Sequence, residues 1–98
     1  MKAVRSIRIA PATEEYLEEK TARDPLLKQV LTGLIWRLTH EQEPIGYKLP
    51  GFNPAKYIIK KSSRLPVPRL LRLTYQFTRK EIFIELAQVV DFKDYEDN

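Results

Sequence analysis

Two runs near the end of the chain, RLLRLTYQF (residues 69–77) and EIFIELAQVV (residues 81–90), stand only three residues apart, and this spacing constrains the fold more than any other feature. In the first run Leu71, Leu73, Tyr75 and Phe77 alternate with more polar neighbours, the pattern of a half-buried strand. The connection, Thr78, Arg79 and Lys80, is long enough only for a turn, so the two runs are expected to pair as an antiparallel hairpin. The same alternation sends Arg72, Thr74 and Gln76 to the opposite face. An arginine held there on a rigid strand calls for a chemical reason.

The rest of the chain sets the frame for this hairpin. RSIRIA (residues 5–10) reads as a short strand, with Ile7 and Ile9 on one side and Arg8 on the other. PATEEYLEEK begins with a proline suited to a first helical turn and places acids near the helix N-terminus, which predicts a helix over 12–22. Asp24 as N-cap and Pro25 at the first helical position open a second helix. Leu27, Val30, Leu31, Leu34 and Leu38 form its apolar stripe, and Pro44 closes it. Trp36 falls half a turn from that stripe, either under the first helix or a terminal segment, or as an aromatic anchor for a partner. IGYKLPGFNPA reads as loop, KYIIKKS as a strand, and SRLPVPR as an extended connection held out of helix by its two prolines. The expected fold is therefore α+β, in the order β-α-α-β-β-β. Two N-terminal helices pack on one face of a largely antiparallel four-stranded sheet, and the other face stays open, carrying Arg72, Thr74 and Gln76.

Ninety-eight residues suit a single domain, 1–98, with an acidic C-terminal tail at 91–98. The absence of cysteine removes disulfides and thiolate chemistry and suits a reducing cytoplasm. No apolar run reaches membrane-spanning length, and MKAVRSIRIA lacks the apolar core of a signal peptide, so a cytoplasmic protein without membrane attachment is the expectation. Charge is strongly segregated. Residues 44–80 hold Lys48, Lys56, Lys60, Lys61, Arg64, Arg69, Arg72, Arg79 and Lys80 and no acid. Beyond them, Lys93 stands against Glu81, Glu85, Asp91, Asp94, Glu96 and Asp97. A stretch of this length without a carboxylate is a candidate footprint for a polyanion, unless the acidic end neutralises it within the fold.

The element order, with YKLPG (residues 47–51), KYIIKKSS (56–63) and RLTYQF (72–77), resembles the RelE/ParE superfamily, the toxins of bacterial toxin–antitoxin pairs. The pattern covers almost the whole chain, and closely worded agreement covers about 20 residues. The resemblance implies a cofactor-free toxin with a cognate antitoxin as partner. RelE-like members cleave messenger RNA on the ribosome, and ParE-like members inhibit DNA gyrase without cutting RNA. It places Arg72 on the strand arginine that contacts the scissile phosphate and Lys60, or Lys61 in the neighbouring register, on a catalytic strand lysine. Lys93 and Tyr95 are the nearest equivalents of the family's terminal basic cluster and tyrosine, although VVDFKDYEDN sets acids around them. Lys48, Lys56, Arg64, Arg69 and Lys93 complete the expected RNA-binding set. The acids of the tail motivate the second reading, a gyrase-binding or catalytically degenerate relative that binds without cutting.

The chemistry can also be read from the residues without the resemblance. Metal-free RNA cleavage needs the 2′-oxygen activated, the 5′-oxygen protonated and the phosphorane charge stabilised. A guanidinium suits the last task, being always charged and able to offer two parallel donors. A strand lysine crowded by other cations suits proton exchange, and tyrosines at 57, 75 and 95 suit stacking or proton donation. Neighbouring Lys60 and Lys61 must point to opposite faces, so one at most reaches any site. The plain structural alternative leaves Arg72 as a solvated strand arginine or pairs it with Glu85 on the next strand. His40, near a helix C-terminus, reads first as a stabilising cation and only second as a base. Glu14, Glu15, Glu18 and Glu19 read as a solvated helix face with no metal spacing, and Ser6, Ser62 and Ser63 have no matched histidine. Self-association through Trp36, giving a homodimer, is a further possibility.

Overall fold

The computed structural model describes residues 4–63 and 69–91, so Arg64, Lys93 and Tyr95 lie outside the described residues. The hairpin anticipated from spacing is present. Strand β4 (Arg69–Phe77) and strand β5 (Glu81–Asp91) run antiparallel across the turn, closed by Thr78 N–H donating to the Glu81 carbonyl at 3.0 Å. Their register shifts by one residue at Thr74/Tyr75, so that Tyr75 pairs with Ile84 while Thr74 pairs with Leu86. Glu85 is the extra residue of this bulge.

Around the hairpin lies a five-stranded mixed sheet in the order β1-β5-β4-β3-β2. Strand β1 (Ser6–Ile9) runs parallel to β5, and β3 (Lys56–Ser63) runs antiparallel to β4. The expectation of four strands is corrected by β2 (Tyr47–Leu49), which pairs antiparallel with β3 at the edge. Three residues between Gly46 and Pro50 are too few to display a period of two, so this segment read as loop. Gly46 makes the pairing possible: its φ is +98°, and a Cβ there would stand 2.3 Å from the Ile58 carbonyl oxygen.

Two helices, α1 (Pro11–Thr21) and α2 (Pro25–His40), cover one face of the sheet. The predicted stripe of α2 is the buried one, with Leu27, Leu34 and Leu38 fully inside and Val30 and Leu31 packed beside them. They meet Ile59, Leu71, Leu73, Tyr75, Ile82 and Ile84 from the sheet. Asp24 caps α2 by accepting the Leu27 N–H at 3.0 Å. Helix α1 is far less apolar, burying Thr13, Leu17 and Thr21 at successive four-residue steps. Thr13 Oγ1 donates to the carbonyl of the bulged Glu85 at 2.6 Å, fastening α1 to the irregular part of β5. Tyr75 spans the core: its hydroxyl donates to the Ile45 carbonyl and accepts the Ile45 N–H at 2.9 Å, tying the segment after α2 to the sheet. Burial pushes this hydroxyl from its ordinary pKa near 10 up to about 12, against the opposing effect of the Ile45 hydrogen bond.

Candidate nucleic-acid interface

The helices leave the second face of the sheet open, and strand pairing orders that face into rows. Gln76 stands opposite Lys56, Thr74 opposite Ile58, and Arg72 opposite Lys60. On the β5 side these rows continue into Phe83, Leu86 and Gln88, and on the β2 side Tyr47 extends the row of Ile58. Arg72 and Lys60 are thus directly opposed side chains in the middle of the face. Arg72, Thr74, Leu86, Ala87 and Gln88 line a depression of about 180 Å³ beside them.

Electrostatics single this pair out. Among the described residues two carboxylates stand at this face, and each is already engaged. Glu85 meets Lys56 Nζ at 3.1 Å and accepts a hydrogen bond from Gln76 Nε2. Glu81 meets Arg8 at 3.1 Å, and the Arg8 guanidinium lies 3.9 Å from the centre of the Phe83 ring. Among the described residues, neither Arg72 nor Lys60 has a carboxylate, hydrogen-bond or ring partner. The anticipated Arg72–Glu85 pair does not form, because the register opposes Arg72 to Gln88 and the bulge directs Glu85 toward Lys56.

Several residues expected at this site stand elsewhere. Arg69 belongs to the helix-facing alternation of β4, and its Nη1 lies 3.2 Å from Asp24 Oδ2 at the start of α2. It serves the sheet-to-helix junction and is removed from the open-face set. Lys61, opposite Leu71, also falls on the helix side, where it borders a cavity of about 500 Å³ with Leu26, Val30, Gly33 and Arg37 of α2. The expected split between Lys60 and Lys61 is present, and Lys60 is the member beside Arg72. Lys48 is exposed on β2 in the row of Tyr57, again on the helix side. Lys56 reaches the open face but is matched by Glu85. Tyr57, half-buried, stacks on the fully buried Tyr75 at 5.7 Å between ring centres, on the helix side of the sheet.

Trp36 is 60% exposed, so within the described residues it is not covered by α1. Its ring stacks on His40 at 4.1 Å, while His40 Nδ1 donates to the Trp36 carbonyl at 2.8 Å. His40 thus closes the last turn of α2 and lies on the helix layer, away from Arg72.

One residue that reading by period overlooked is Tyr47, 67% exposed on the open face. The alternation of Tyr47 with Leu49 between Gly46 and the Pro50–Gly51 turn was its only signal. Among the described residues no three His, Asp or Glu side chains are grouped to hold a metal ion, and no helix is long and apolar enough to cross a membrane. Comparison with protein-family models, curated proteins and solved structures finds no match for this chain.

Proposed function

We propose that this chain is a RelE-like toxin that cleaves messenger RNA on the ribosome, with the open sheet face as its substrate surface. The observation that carries the reading is the opposed pair Lys60 and Arg72, two basic side chains that have no carboxylate partner among the described residues. In this reading Arg72 lays two parallel donors on the scissile phosphate and stabilises the charge that builds as the 2′-oxygen attacks. Lys60, one strand away, accepts the 2′-hydroxyl proton as its free amine while the 2′-oxygen bonds to phosphorus and the bond from phosphorus to the 5′-oxygen breaks. Tyr95 and Lys93 are the proposed source of the remaining proton and of further phosphate contact, with Arg64 extending the basic surface. A cognate antitoxin neutralises the toxin, with Trp36 as an anchor on the helix layer.

Induced expression in a bacterial host tests the proposal. Growth arrest with messenger RNA cut in a ribosome-dependent manner, relieved by Arg72→Ala, is the expected result. A harmless wild type that leaves messenger RNA intact overturns it. The competing reading, a gyrase-binding relative without nuclease activity, draws on the acids of residues 91–98, which repel phosphate. Growth arrest with intact messenger RNA and inhibited DNA supercoiling selects that reading.

A further inference from the structure

The fold employs the other described tyrosines and leaves Tyr47 over. Tyr16 accepts the Val89 N–H through its hydroxyl at 2.9 Å, Tyr75 is bonded to Ile45, and Tyr57 stacks against Tyr75. Tyr47 has neither a ring nor a hydroxyl partner among the described residues, yet 67% of it faces solvent. An aromatic in this position contributes little to the core. Its placement is nonetheless tightly determined, because β2 is pinned against β3 where Gly46 allows an approach that no side chain would permit.

That placement has a chemical consequence. Tyr47 is opposite Ile58, and Lys60 is the next residue of β3 on the same face, a diagonal separation of about 7–8 Å. Arg72 stands one strand further on. Phe52, in the turn after β2, is also exposed and lies 4.5 Å beneath the ammonium of Lys56, on the same side of the sheet. Cations and a bordering aromatic, none of them partnered among the described residues, are the two components of a single-strand binding surface.

We infer that Tyr47 is a base-stacking subsite for single-stranded RNA, seating the base next to the phosphate held by Lys60 and Arg72. The inference rests on the proposed RNA-directed reading of that face and adds the requirement that the substrate be unpaired, since a base within a duplex offers no free face. Stacking carries no net charge, so it separates experimentally from phosphate contact by its response to salt.

The test is fluorescence anisotropy on the purified full chain, using a labelled 2′-O-methyl single-stranded oligonucleotide that resists cleavage and the matching duplex. Tyr47→Ala is expected to weaken single-strand binding by about 5- to 150-fold with an unchanged salt slope, and Tyr47→Phe to restore it. Arg72→Ala is expected to weaken binding and to flatten the slope by about 0.7. Wild-type binding by Tyr47→Ala, where Arg72→Ala is impaired, overturns the stacking subsite and leaves the phosphate surface standing. Equal affinity for the duplex likewise overturns it. Indifference to both substitutions removes the RNA reading of the face itself.

Discussion

Glu85 holds its carboxylate 3.1 Å from Lys56 Nζ, both side chains being largely shielded from solvent, and this pairing determines which cations of the open face remain available. Because the bulge at Thr74/Tyr75 commits Glu85 to Lys56, Arg72 and Lys60 have no carboxylate partner among the described residues. Lys56, although on the same face, is neutralised.

Releasing Lys56 should therefore strengthen RNA binding. Glu85→Gln is expected to tighten association at low salt and to steepen the dependence of log K on log salt by about 0.7, the signature of one added phosphate contact on a single strand. A titration series in potassium chloride measures this, and an unchanged slope argues that Lys56 lies outside the footprint.

Arg72→Ala should separate activity from stability. Loss of a donor aimed at developing negative charge costs about 10²- to 10³-fold in rate, whereas a half-buried strand residue with no partner among the described residues changes stability by about 0.5 kcal/mol or less. Arg72→Lys should recover only part of the rate, because an ammonium does not reproduce the parallel donors of guanidinium. Single-turnover cleavage beside thermal melts checks both statements.

Asp24 joins two structures at once, capping α2 through Leu27 N–H and receiving Arg69 at 3.2 Å. Asp24→Ala should cost about 1 kcal/mol from the cap, which lowers the melting temperature by about 4–8 °C in a domain of this size. Arg69→Ala should lower it less and leave RNA affinity unaltered. A drop in RNA affinity on Arg69→Ala, with the fold intact, would return that residue to the binding surface.

Tyr75 predicts an alkaline weakness. Its hydroxyl binds a proton more tightly folded, with a pKa of about 12, than unfolded, near 10. Between these values the unfolded chain has lost the proton that the native state retains, so stability falls as pH rises through this window and is fully present below pH 10. The contribution is on the order of 2–3 kcal/mol. Tyr75→Phe should lose the steepest part of that decline, and it should also destabilise by about 1–3 kcal/mol at neutral pH through the unpaired Ile45 backbone groups. Urea melts from pH 8 to 12 on both proteins provide the comparison.

The lesson for reading such a chain lies in particular residues. Tyr75 and Leu73 were recognisable as core, and Lys60 and Lys61 as belonging to opposite faces, because alternation along a strand is a local property of the backbone. The Leu27–Leu38 stripe and its Asp24 cap were recognisable for the same reason. Strand β2 was not, since three residues cannot state a period, and with it Tyr47 was missed. The turn of Arg69 toward Asp24 is not legible in the sequence, because composition counts a charge without saying which way it points.

Local patterning thus determined the elements, their order, the inward faces of β4 and α2, and the placing of Arg72 on an uncovered surface. Register and long-range pairing chose everything electrostatic: Glu85 with Lys56, Arg69 with Asp24, Arg72 opposite Lys60, and Tyr47 diagonal to Lys60. Periodicity depends on neighbours a few residues away, whereas a charge finds its partner through a bulge, an edge strand and a helix end far off along the chain.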